Sequence, residues 1–197
     1  LSPERINMQI EKVINNNIVS AFDDTGREVV VMGRGLGFGV RPGQSVDEKK
    51  VEIEIHNFRD YSKDPHHKVE DKIEKEFRIK SRDTADQLKE LLADMPLERA
   101  QISADIIAFA KSNLNLKLNQ SIYVTLTDHI NFTIDRFEQG INLQNALLWE
   151  IKRFYPHEFD LGRYALKLIK ERLDVELPED EAGFIAMHFV NAEYGTN

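Results

Sequence analysis

The sequence contains no cysteine. That removes disulfides, thiolate catalysis and cysteine-based zinc sites together. No apolar run approaches the roughly 18 residues that would suggest a membrane-spanning helix. No charged-then-apolar segment opens the chain as a secretion signal would. These absences fit a cytoplasmic protein. Positive charge is also short: 26 Lys and Arg stand against 34 Asp and Glu, a formal net charge of −8. Taken alone, this disfavours nucleic acid, because phosphate contacts need Lys and Arg. The imbalance is uneven, however. Residues 1–44 hold five basic residues (Arg5, Lys12, Arg27, Arg34, Arg41) and five acidic ones (Glu4, Glu11, Asp23, Asp24, Glu28), so the excess acid lies downstream. Any nucleic-acid contact therefore belongs to the first segment and rests on a few placed residues, not on a basic field.

With 197 residues, 41% of them hydrophobic, the chain has material for one large domain or two small ones. Residues 8–40 read as short strands. Ile10–Ile14 and Ile18–Phe22 are separated by Asn15, Asn16 and Asn17. Asp23-Asp24-Thr25-Gly26 makes a hairpin connection to the β-branched run Glu28–Met32. Alternation over residues 51–55 predicts a further strand. The polar stretch 56–76 reads as a loop, with one more strand at 76–79. From about residue 83 glycine becomes rare and the period turns helical. Leu88, Leu91 and Leu92 form one apolar stripe. Ile102, Ile106, Phe109 and Ala110 form a second, and Ile122, Leu126, Ile130, Ile134 and Phe137 a third, which Gly140 ends. Residues 146–154 and 161–173 predict two more helices. The last begins at Leu177–Glu181, where a proline followed by acids suits a helix start. The expected fold class is α+β in two domains: a small antiparallel β domain over 8–79, with an insertion at about 45–70, and an all-α bundle over 83–194.

Two features invite a chemical reading. The run Gly33-Arg34-Gly35-Leu36-Gly37-Phe38-Gly39 is not the dinucleotide fingerprint, since both the spacing and the strand–helix context are wrong. Alternate glycines let a strand bend and let another backbone come close. That structural reading comes first; a further one is that the close partner is RNA, because Arg34 and Phe38 are the side chains that stack on unpaired bases. Asn15 to Asn17 offer amides for base edges. In the helical half, His129 and His188 each border an apolar stripe. Each alone reads as a satisfied rim residue, whereas the two together raise a shared site. Zinc lacks third and fourth ligands, and no H-E-x-x-H occurs. Asp128 either orients the neighbouring ring or is solvated. His157 and Glu158 read as a solvated loop. His56, His66 and His67 sit in polar surroundings with little claim to metal.

The segments Lys12–Ser20 and Glu28–Gly39 resemble the co-antiterminator (CAT) RNA-binding domain of the BglG/SacY/LicT family of transcription antiterminators. Leu118–Phe132, Asn145–Glu150 and Leu177–Glu193 resemble that family's first phosphotransferase-system regulation domain (PRD). The order is right and the likeness covers nearly the whole chain. The resemblance implies a β domain that dimerises on a leader-mRNA hairpin and prevents terminator formation. It implies RNA contacts from Lys12, Asn15, Asn17, Gly33, Arg34 and Phe38. It also implies phosphorylation of His129 and His188 through the sugar phosphotransferase system, with the phosphocarrier HPr and a sugar-specific enzyme II as partners. It implies a homodimer, no cofactor, no metal and no enzymatic activity.

The chain departs from the family pattern in three places. Family members carry a second regulation domain, whereas this chain stops at Asn197, as a part of such a protein would. Leu1–Asn7 precede Met8, where family members begin, and are expected to be foreign. Residues 45–70 look longer than the usual end of the RNA-binding domain. Two other functions stand beside this one. A DNA-binding activator carrying the same regulation domain would need a helix-turn-helix where residues 8–40 offer strands. An enzyme using His129 and His188 would need a metal or a substrate pocket.

Overall fold

A computed structural model describes residues 7–56, 83–114 and 116–194. The chain divides into two compact units, Leu1–Leu97 and Glu98–Asn197. Strands β1 (Gln9–Asn15), β2 (Ile18–Phe22), β3 (Glu28–Met32) and β4 (Ile53–Ile55) form an antiparallel sheet in sequence order. Asn15 pairs with Ile18, which leaves the two-residue connection Asn16-Asn17. The β2–β3 connection is held by the Asp23 carboxylate. It accepts from the backbone N–H groups of Thr25 and Arg27 and from the Thr25 hydroxyl. Gly26, at φ +80°, supplies the left-handed residue this turn requires.

Period two assigns the strand residues to faces. Val19, Ala21, Val29 and Val31 share one face and bury against Met8, Ile10, Leu36 and Val46. The opposite face carries Ile18, Ser20, Glu28, Val30 and Met32, which are also buried. Helix α1 (Asp83–Ala93) packs on β1 and β2 of this sheet. Its Lys89 ammonium pairs with the Glu28 carboxylate and lies 3.6 Å from Glu11 and from Asp86. The Ser20 hydroxyl reaches Glu11 at 2.6 Å and Glu28 at 3.0 Å. Helix α1 was expected to open the helical domain, yet the chain divides after Leu97 and leaves α1 with the sheet. The leucine stripe reveals a helix with one buried face, but a stripe carries no address. The partner of Lys89 is what sets it.

The second unit holds most of α2 (Leu97–Asn113), then α3 (Ile122–Glu138), α4 (Leu148–Phe154), α5 (Pro156–Leu173) and α6 (Glu179–Tyr194). The predicted stripes supply its core: Ile102, Ile106, Ile122, Leu126, Ile130 and Ile134 are all buried. Phe109 stacks on Tyr164 at 4.0 Å between ring centres. Helices α5 and α6 come close because Gly162 has no side chain. A Cβ there would lie 2.1 Å from the Ala182 carbonyl oxygen.

Several expectations need correction. The glycine run is a series of turns after β3, not a bent strand. His157 and Glu158 occupy the first turn of α5, and Glu158 is buried. Of the residues expected as an insertion, 45–56 are described: Ser45 bridges to Gln9, and β4 extends the sheet beside β3. The loop with His66 and His67, and the strand expected at 76–79, lie outside the described residues. Among the described residues, no helix is long and apolar enough to cross a membrane.

Candidate nucleic-acid interface and histidine site

The glycine-rich turns are fastened by backbone bonds to the β1–β2 connection. Gly33 donates to the Asn17 carbonyl and Gly37 to the Asn16 carbonyl, both at 2.9 Å. The Asn17 side-chain oxygen accepts from the Gly35 N–H at 2.9 Å. Two glycines are there for close approach. A Cβ at Gly33 would fall 1.7 Å from the Lys50 carbonyl oxygen, and one at Gly37 2.1 Å from that of Asn15. Held this way, the turns present Arg34 and Phe38 outward. Phe38 is 71% exposed, which leaves its ring open to a partner.

The other residues expected to meet RNA are placed differently. The Asn15 oxygen accepts from the Asn17 N–H at 2.8 Å, and its amide donates to the Leu92 and Ala93 carbonyls at the end of α1. Asn15 thus joins the sheet to α1. Exposed Lys12 lines a cleft with Asp86, Lys89 and Glu90 of that helix. The structure therefore gathers Asn17, Gly33, Arg34 and Phe38 into one turn assembly, with Lys12 and Asn15 toward α1.

In the helical unit the two histidines meet. His129 on α3 and His188 on α6 have ring centres 4.8 Å apart at 49°. Phe184, one turn before His188, tilts over His129 at 6.1 Å. His129 Nε2 lies 3.3 Å from Glu181 Oε2 and 3.4 Å from Thr133 Oγ1. Glu181 is only 2% exposed, and its other oxygen accepts from Arg136 Nη2 at 2.8 Å. Arg136 also donates to Thr133 Oγ1 at 3.3 Å, and its guanidinium lies over the Phe132 ring. Its Nε is buried with no partner among the described residues. His129, Thr133 and Arg136 follow at i, i+4 and i+7, so one face of α3 carries the cluster. Burial, and then the nearby His129, hold His188 down to about 4. Its ring is therefore uncharged near neutral pH, with a nitrogen lone pair available. A neutral imidazole at His188, with the Glu181 carboxylate held beside the neighbouring His129, is an arrangement for nucleophilic attack on phosphorus or for proton transfer.

Sequence reasoning missed Glu181 and Arg136. Glu181 read as one of three acids at a helix start. Two of them behave that way: Glu179 meets Lys152 and Arg163 at the surface, and Asp180 accepts from the Asn145 N–H. Glu181 instead turns inward. The available signal was its spacing of seven residues before His188, which puts both on one helical face. Asp128, the alternative orienting group, is exposed and makes no described contact with His129.

Residues 8–54 match the family model of the CAT RNA binding domain, and residues 104–192 that of the PRD domain. The chain is 47% identical over 94% of its length to Transcription antiterminator LicT of Bacillus subtilis (strain 168), covering 59% of that protein. It is 43% identical over 94% of its length to a Beta-glucoside operon antiterminator of Dickeya chrysanthemi, covering 58%. The chain thus spans about three-fifths of the length of these curated relatives. The crystal structure of GlcT CAT-PRDI superposes with a TM-score of 0.72 at 30% identity, over 96% of this chain and 99% of that one. A β unit with a CAT signature, a helical unit with a PRD signature and a solved relative of the same two-domain extent agree: the chain belongs to the BglG/SacY/LicT family of transcription antiterminators.

Proposed function

We propose that this chain is a cytoplasmic antiterminator. Its sheet unit binds a leader-mRNA hairpin as a homodimer and so keeps a terminator from forming. Its helical unit is controlled by phosphorylation of His129 and His188, with HPr and a sugar-specific enzyme II of the phosphotransferase system as donors. The observation that carries the RNA half is the exposed Phe38 ring beside Arg34, on turns locked by Asn17, Gly33 and Gly37. An aromatic face and a guanidinium plane on a rigid loop suit splayed bases in a hairpin. The regulatory half is supported by the His129–His188 pair, since neutral imidazole accepts phosphate from a phosphohistidine donor. The relatives are named as antiterminators, not as enzymes.

Binding to the native leader hairpin tests the RNA half. Asn17→Ala, Arg34→Ala and Phe38→Ala should each weaken binding by roughly 1–3 kcal/mol, and Arg34→Ala should flatten the salt dependence if it meets phosphate. Unchanged affinity in all three folded variants would overturn the RNA assignment. Incubation with phosphoenolpyruvate and the purified phosphotransferase proteins tests the other half. Labelling that survives His129→Ala and His188→Ala together would refute the site.

A further inference from the structure

We infer that Glu181 is a positioning residue that fixes which nitrogen of His129 takes phosphate: it holds the proton on Nε2 and leaves Nδ1 as the acceptor. This rests on the phospho-acceptor reading above and deepens it to the level of the atom. His129 Nε2 faces a carboxylate oxygen of Glu181 at 3.3 Å. That carboxylate is almost fully buried and anchored through its other oxygen by Arg136 at 2.8 Å. Two lone pairs facing each other at this distance in a poorly solvated site repel. The positive end of an N–H dipole at Nε2 is instead attracted by the carboxylate charge 3.3 Å away. The Nε2–H tautomer is therefore the stable one. Thr133 reinforces this choice. Its hydroxyl accepts from Arg136 and is within reach of the same Glu181 oxygen, so its own proton has the carboxylate as a better target than the ring. Among the described residues, no hydrogen bond engages Nδ1 of His129.

The transfer balances without a net proton. The donor is a phosphohistidine whose other ring nitrogen is protonated. Its N–P bond breaks, the electron pair returns to the donor ring, and that ring leaves as neutral imidazole. The Nδ1 lone pair of His129 forms the new N–P bond, and the positive charge appears on the His129 ring. The Glu181 carboxylate already stands 3.3 Å from Nε2, so the charge develops beside a preorganised anion. Arg136 keeps that anion from rotating away.

Two NMR measurements on the full chain labelled with 15N-histidine test the inference. Before phosphorylation, the ring nitrogen shifts of His129 should report the Nε2–H tautomer, and an Nδ1–H tautomer would overturn the inference. After reaction with phosphoenolpyruvate and the purified phosphotransferase proteins, long-range proton–nitrogen correlations should place the phosphoryl group on Nδ1. His188→Ala removes overlap of signals. In Glu181→Gln the amide can turn either a donor or an acceptor toward the ring. The tautomers should then mix, and the rate of His129 labelling should fall on the order of tenfold or more, while circular dichroism stays native. A single Nδ1 product at an unchanged rate in this variant would show that Glu181 does not position the ring. Phosphate on Nε2 of His129 in the unsubstituted chain would overturn the inference alone. Absence of label from both histidines would overturn the proposed regulation as well.

Discussion

Glu193, near the end of α6, shows how a single residue can tie the stability of the helical unit to pH. Burial, and then the charge of Glu158 and a hydrogen bond with it, push the Glu193 carboxyl from 4.5 up to about 7. The folded unit holds a proton that the unfolded chain releases. The stabilising effect of that proton is complete below about 4.5 and is lost as pH rises through about 7. His188 works in the opposite sense. Its folded value of about 4 lies below the ordinary 6.5, so its contribution is present above 6.5 and is lost as pH falls through about 4. Glu193→Gln should therefore leave the thermal midpoint near that of the unsubstituted chain at pH 5. At pH 8 it should raise the midpoint by a few degrees, roughly what 1 kcal/mol does in a small domain. Calorimetry at the two pH values checks this, and an equal shift at both would rule the carboxyl pair out as the cause.

Among the elements, α1 has the least obvious place. Its seat on the sheet is built around Lys89, 8% exposed, against Glu28, 1% exposed. Burial works against the charged ammonium, but the hydrogen bond and charge of Glu28, with Glu11 and Asp86 behind it, outweigh that and raise the Lys89 value. A buried pair of this kind contributes little net stability compared with an apolar pair, yet breaking it strands a charge. Lys89→Met should therefore destabilise the sheet unit by about 3–5 kcal/mol, and adding Glu28→Gln should recover much of that loss. Urea denaturation followed by a probe in the sheet distinguishes the two. A Lys89→Met cost near zero would mean that α1 is not seated on the sheet in solution. The turns after β3 obey a different rule: there the backbone itself is packed, and Gly33 and Gly37 leave no room for a Cβ.

For the whole molecule, the charge balance bears on how many copies the proposed RNA complex needs. Residues 1–44 balance five cations against five anions, so one copy offers little attraction to phosphate. In the proposed homodimer, two copies related by a two-fold axis would double the proposed contacts, including the Arg34–Phe38 turns. Sedimentation of the full chain with its leader hairpin should give two chains per RNA, with an apparent affinity that depends on protein concentration. A one-to-one complex of full affinity would remove the homodimer from the proposal.

Much of this molecule follows from local pattern. The strands at 18–22 and 28–32, the helical stripes and the start of α6 come from periodicity and turn chemistry, because these set backbone conformation within a few residues. The meeting of His129 and His188 was raised by two histidines bordering apolar stripes, since residues beside buried faces are carried toward one core. Long-range pairing decided the rest. Helix α1 went to the sheet because Lys89 found Glu28 and Asn15 found the carbonyls of Leu92 and Ala93. Glu181, a surface acid by local pattern, turned inward because Arg136, 45 residues away in the chain, offered it a counter-charge. A sequence carries each side chain's chemistry, but which charge another will neutralise depends on distances that exist only once the chain has folded.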